Sequence, residues 1–226
     1  MRNPLARYLA RARAMQFHYL LASLILLLAV YPYVGAGTTG PAALKVLSSF
    51  ILITGVYAVS NRRRQVVIAA LLAVPAFGLG WLYVITGNPV ISTAESVFTL
   101  LFYAFTALVG LSRVLGERRI TTDTIYGAVS VYLLMGLTWA TAYGLVESIS
   151  PGSFFSSHPD GAFTFPTFIY YSFVTLATLG YGDITPITDQ ARSLAVLETV
   201  SGTIYIAVLI ARLVAAAGWL PETGRE

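Results

Sequence analysis

Thr175-Leu176-Ala177-Thr178-Leu179-Gly180-Tyr181-Gly182-Asp183 closes an apolar run that begins at Phe163. Thr164 and Pro166 sit at its start, where a cap and a first-turn residue are wanted. From Pro166 to Ala177 the run holds 12 residues. As a helix that is about 18 Å, too short to cross a hydrocarbon core of about 30 Å. The spacing therefore predicts a half-helix that dips into the bilayer and returns as extended backbone through Gly180 and Gly182. Irregular backbone at membrane depth survives only where protein or a water-filled path surrounds it. The segment should line a pore.

The rest of the chain supplies the membrane around it. Of its 226 residues, 57% are hydrophobic and 11% charged, with a mean hydropathy of +0.74. Soluble domains carry about 25% charged residues. These values exclude an ordinary soluble enzyme and a disordered chain. They also exclude a nucleic-acid binder, despite the net charge of +4. With no cysteine there is no disulfide framework or thiolate metal site. Six segments approach the ~20 apolar residues a spanning helix needs: roughly Phe17–Val34, Ala42–Ser60, Gln65–Thr86, Thr93–Ser112, Thr124–Ser148 and Gln190–Gly218. Pro75, followed by Gly78 and Gly80, predicts a kink in the third.

Charge sets the orientation, because Lys and Arg of short loops stay cytoplasmic. Twelve of the fourteen basic residues fall on one side of a six-span arrangement, including Arg62-Arg63-Arg64, Arg113, Arg118, Arg119 and Arg212. Only Lys45 and Arg192 fall on the other. Both termini are therefore expected in the cytoplasm. The apolar first segment and Val34-Gly35-Ala36 also allow a signal peptide, whose cleavage would leave five spans in the same orientation. Arg62-Arg63-Arg64 are contiguous and lie between spans, so they fit a topology determinant or an anionic-lipid contact. A voltage sensor needs arginines every third residue along one span, and Thr93–Ser112 contains neither Arg nor Lys.

The nine-residue string resembles the signature of potassium channels, whose filter usually reads Thr-Val-Gly-Tyr-Gly-Asp. Leu179 stands where Val is usual. Tyr170-Tyr171 occupies the place where the family often has Trp-Trp, and Pro186 follows Asp183 by three residues. Gly202 lies midway down the last span, where the family places its gating hinge, and Val174 stands where some members carry a glutamate behind the filter. The resemblance is carried by about Thr124–Val214. Over residues 1–115 it rests on the six-span topology alone.

This resemblance implies an all-α membrane protein of six spans plus a re-entrant pore helix. Its parts would be a four-helix N-terminal membrane domain (1–119), a pore domain (120–218) and a short cytoplasmic tail (219–226). It implies a potassium-selective channel subunit working as a homotetramer in the plasma membrane. Permeant K+ would be the only bound species besides lipid, with no cofactor, soluble substrate, nucleic acid or catalysis. The physical reason is that K+ sheds its water only where rings of carbonyls from four chains replace it. Main-chain oxygens of Thr178, Leu179, Gly180 and Tyr181 are the expected ligands, with the Thr178 hydroxyl added at the lowest site. Gly180 and Gly182 permit the dihedrals this needs. Leu179 and Tyr181 should point away from the axis, with Tyr181 in reach of the Tyr170 or Tyr171 hydroxyl. The half-helix C-terminus near Ala177 favours a cation beneath it. Asp183 adds negative charge at the outer mouth.

Glu198 is the one acid well inside a span, and it shares a helical face with Gly202. An intramembrane acid implies a task. It is expected to brace the half-helix through Ser172 or Thr175, to face the ion path, or to pack as a protonated residue. Thr203, Ile206, Ile210 and Val214 recur at helical spacing after Gly202. Thr203 and Ile206 are read as cavity wall and Ile210 as a dewetting constriction. His18 and His158 are isolated, and His158 is a candidate for weak proton sensitivity.

Overall fold

In lipid, helices satisfy every backbone N–H and C=O internally, and this chain takes that solution along nearly its whole described length. The computed structural model describes residues 16–34, 40–117, 120–157 and 163–217. The arginines before Gln16, the Gly35-Ala36 step, Arg118, Arg119, His158 and residues 218–226 lie outside them.

Helix α1 (Gln16–Val30) runs into a 3-10 turn, Tyr31–Tyr33. Then come α2 (Gly40–Ala58), α3 (Arg63–Thr86), α4 (Pro89–Gly116) and α5 (Thr122–Ile149). A short strand β1 (Phe154–Ser156), the half-helix α6 (Phe165–Leu176), strand β2 (Ile184–Pro186) and α7 (Asp189–Ala217) complete the order. Among the described residues, five segments are long and apolar enough to cross a membrane: Gln16–Tyr33, α3, α4, α5 and Asp189–Ala215. The apolar stretch of α2, Ala42–Ala58, is shorter. Helix α3 continues through Pro75 without a break.

Helix α4 is longer than hydropathy suggested, starting at Pro89 rather than Thr93 and ending at Gly116 rather than Ser112. Asn88 caps it, its side-chain oxygen accepting the Val90 N–H at 2.9 Å, and Pro89 fits the first turn. The polar start of α4 is absorbed inside the bundle. Glu95 is buried 2.8 Å from Lys45 Nζ of α2, and its other oxygen accepts from Thr99 at 2.8 Å. An apolar scale charges for that acid; its neighbours neutralise it.

Helix α5 is the hub, touching α1, α4, α6 and α7. Without a hydrophobic force between helices in lipid, close approach depends on small residues. The crossings show it. A Cβ on Gly127 would lie 2.8 Å from the Phe17 ring, one on Gly110 2.8 Å from Val131 Cγ2, and one on Gly136 2.5 Å from the Phe173 ring. Gly55 stands in the same relation to Phe102. Each glycine is a socket that a neighbouring side chain fills.

A polar clasp gathers four helices, α1, α2, α4 and α5, at the N-terminal end of α5. Asp123 Oδ1 accepts the Phe17 N–H at 3.2 Å and lies 3.4 Å from His18 Nδ1, while Oδ2 is 3.5 Å from Arg113. Arg113 also donates to Gln16 Oε1 at 2.6 Å and to the Ala58 carbonyl at 3.3 Å, and lies over the Phe17 ring. Arg113 is thus pinned in the last turn of α4.

Candidate pore-lining site

The site starts from the half-helix. Thr164 caps α6, its N–H donating to Thr167 Oγ1 at 3.3 Å, and Pro166 lies in the first turn. Phe168, Tyr171, Tyr143 of α5 and Phe154 of β1 form an aromatic cluster with ring centroids 4.9–6.5 Å apart. This cluster fixes the half-helix against the outer helix.

At its other end α6 hands its unpaired carbonyls to the following loop. The Thr178 N–H donates to Thr175 O at 3.0 Å and the Leu179 N–H to Val174 O at 2.9 Å. The loop then alternates. Thr178, Gly180 and Gly182 have φ of 59°, 59° and 79°, while Leu179 and Tyr181 are not left-handed. For Thr178 this is a costly conformation, since a β-branched residue rarely adopts positive φ. Alternating hand turns successive carbonyls toward one side, which a regular strand cannot do. In the single chain, Leu179 and Tyr181 are 57% and 67% exposed.

The outer limb is anchored separately. Strands β1 and β2 pair antiparallel, Phe155 opposite Thr185. The Asp183 carbonyl accepts from the Ser157 N–H at 2.9 Å. Tyr170 donates its hydroxyl to Asp183 Oδ2 at 2.7 Å rather than to Tyr181, a carboxylate being the stronger acceptor. Tyr171 is buried in the aromatic cluster. The Glu147 carboxylate holds the turn before β1 through the Gly152 and Ser153 N–H groups, at 2.8 and 3.0 Å.

Behind the loop, Glu198 is fully buried. It meets Ser172 Oγ at 2.5 Å, and the Tyr143 hydroxyl donates to its other oxygen. Ser172 Oγ also lies 2.7 Å from the Gly136 carbonyl of α5. One carboxyl thus joins α5, α6 and α7. Ser172 is the partner, not Thr175. Tyr143, 55 positions away in sequence, carried no signal that would have paired it with Glu198.

Gly202 lies on α7 against the end of α6. A Cβ there would sit 2.7 Å from Leu176 Cδ1 and 2.8 Å from the Leu176 carbonyl oxygen. Helix α7 runs straight through this position as one element. Thr203, Ile206 and Ile210 are exposed in the single chain. Tyr205, buried beside them, donates to the Ala128 carbonyl of α5 at 2.5 Å. Arg212 donates to the Glu117 carbonyl in the α4–α5 link. Neither anchor could be read from hydropathy.

A short helix ending in a loop of recurring left-handed residues thus lies between two helices long and apolar enough to cross a membrane. Residues 131–217 match the family described as ion channel. Protein LctB of Bacillus caldotenax is 32% identical over 107 residues, covering 45% of this chain and 78% of that protein. Two pore potassium channel c of Oryza sativa subsp. japonica is 34% identical over 87 residues, 37% of this chain and 16% of that protein. Potassium voltage-gated channel subfamily A member 10 of Mus musculus is 29% identical over 97 residues, 42% of this chain and 18% of that protein. This chain therefore spans under a fifth of the length of the last two. No solved structure matches the chain. The chain belongs to the ion channel family.

Proposed function

We propose that four copies of this chain assemble around an axis and pass K+ selectively through rings of main-chain oxygens from Thr178, Leu179, Gly180 and Tyr181. The observation that carries this is the left-handed backbone recurring at Thr178, Gly180 and Gly182, hung from the last turn of α6. A carbonyl cage needs that alternation, and a plain turn does not. The half-helix C-terminus beneath the loop supplies a favourable field for a cation, and Asp183 a negative outer mouth. The exposed Leu179 and Tyr181 suit a loop that neighbouring copies cover.

The arrangement is a plasma-membrane subunit with six spans, α2 being the sixth, and both termini in the cytoplasm, as the basic residues favour. Residues 1–119 form the N-terminal membrane domain and 120–218 the pore. Diffusion through the pore involves no bond-making, no cofactor and no soluble substrate. Reconstitution in liposomes tests the proposal. Potassium flux should exceed sodium flux by a wide margin, shift the reversal potential under opposed gradients, and stop with barium. A reversal potential insensitive to which of the two cations is present would replace this reading with a weakly selective cation pore.

Gating in this reading depends little on voltage. One charge crossing 100 mV gains about 2.3 kcal/mol, and steep sensors use several per subunit. Helix α4 offers only Arg113, pinned at its end by Asp123 and Gln16. The apparent gating charge is expected to stay at or below about two for the whole tetramer, against about twelve for such sensors. A steep conductance–voltage curve in symmetrical potassium contradicts it.

Glu198 acts here as filter support. Removing it in Glu198→Ala leaves the Tyr143 hydroxyl buried without its acceptor, at about 1–3 kcal/mol, while Ser172 loses one partner and keeps the Gly136 carbonyl. Lower thermal stability and a changed open probability are expected. Glu198→Gln keeps an acceptor for Tyr143 and offers a donor to Ser172, so it should fall much nearer the wild type. An Ala variant with wild-type open probability removes Glu198 from filter support.

A further inference from the structure

We propose that in the tetramer each N-terminal helical domain stays on the outer helix of its own subunit instead of being exchanged onto a neighbour's. This rests on the tetramer reading above. Exchange between protomers would move the element's contacts onto a neighbour's outer helix, which the link must then reach. The link between α4 and α5 is residues 117–121, which stretch to at most about 18 Å. The two helices fold back on each other along their length. Gly110 meets Val131 and Val114 meets Gly127, a constant antiparallel register.

The polar contacts argue the same way. Asp123, at the start of α5, holds the Phe17 N–H and Arg113 of its own chain. The ring of Phe17 then fills the Gly127 socket on α5. Arg212, near the end of α7, grips the Glu117 carbonyl within the link itself. Exchange would break this clasp and strip the face of α5 that α1 and α4 cover. Helix α7, by contrast, leaves Leu197, Val200, Ile204 and Val208 uncovered by its own chain. A second copy therefore has the pore face to occupy, and finds the α5 face taken.

The natural chain has no cysteine, so introduced pairs are its only thiols. One variant carries Gly110→Cys with Val131→Cys, where a Cβ at 110 lies 2.8 Å from the atom a sulfur would replace. A second carries Val114→Cys with Gly127→Cys, where the corresponding distance is 3.1 Å. Both separations suit a disulfide. The full chain in detergent is first sized by light scattering, then oxidised, and the mass is read on a denaturing non-reducing gel beside a maleimide count of free thiols. Expected are a tetramer by scattering, loss of most free thiols, and denatured protein that still runs as single chains. A ladder of linked dimers to tetramers overturns the proposal, as do thiols that stay free in both variants of an intact tetramer. A wild-type chain that scatters as a monomer overturns the tetramer reading itself, and the proposal with it, before any oxidation.

Discussion

Gly180→Ala is expected to abolish selective potassium conduction. The added methyl group would meet nothing within 4 Å in the single chain, so no clash opposes it. The cost lies in the backbone. At φ of 59° an L-residue is penalised by about 1–2 kcal/mol. In the proposed tetramer four chains would repeat that penalty around one ring, and Thr178 already strains the same loop. In the proposed filter the loop would relax only by turning a carbonyl out of line, which would remove one ring of ligands. Reversal potentials under potassium and sodium gradients read the result directly. Wild-type selectivity in Gly180→Ala would sink the assignment of the filter. Gly182→Ala, at φ of 79°, should behave alike.

Gly202→Ala should be nearly as severe, for a different reason. Its methyl group would be driven to 2.8 Å from the Leu176 carbonyl oxygen, a backbone atom that no rotamer change can withdraw. Overpacking of this kind costs about 1–3 kcal/mol per site. Relief comes only by pushing α7 away from the end of α6, the turn from which Thr178 and Leu179 hang. The variant should therefore lose thermal stability and alter selectivity or unitary conductance. If Gly202 served only as a hinge, alanine would stiffen α7, changing open times while leaving ion selectivity intact. Single-channel recordings that show altered open times with wild-type selectivity and conductance would return Gly202 to the hinge role.

The sequence made some of this legible and hid the rest for physical reasons. Spanning helices announce themselves by length and apolarity, so α5 was anticipated as Thr124–Ser148 and runs Thr122–Ile149. The half-helix was expected at Pro166–Ala177 and is Phe165–Leu176. Local signals, a cap and a proline, are sufficient there. The span Thr93–Ser112 stops short of α4 at both ends, because an apolar scale reads Asn88-Pro89 and Arg113 as loop without seeing the Asn88 cap or the Asp123 and Gln16 partners of Arg113. The pairings of Tyr143 with Glu198 and of Tyr170 with Asp183 were hidden likewise, since each depends on which faces meet. A helix apolar all round gives no periodicity from which a face can be read. The β1–β2 pairing brackets the half-helix, and three-residue strands are too short to show alternation.

The glycine sockets determine how such a chain can drift. Swapping one large apolar residue for another on a lipid-facing surface leaves insertion into the bilayer untouched, so descendants can diverge widely there. Gly110, Gly127, Gly136 and Gly202 have no such latitude, because each is filled by a neighbour's side chain or carbonyl. Alanine scanning, usually the gentlest of probes, becomes the harshest at these places. The information that tells one apolar helix where to rest on another is stored as missing atoms, and a lineage retains it by keeping those few positions empty.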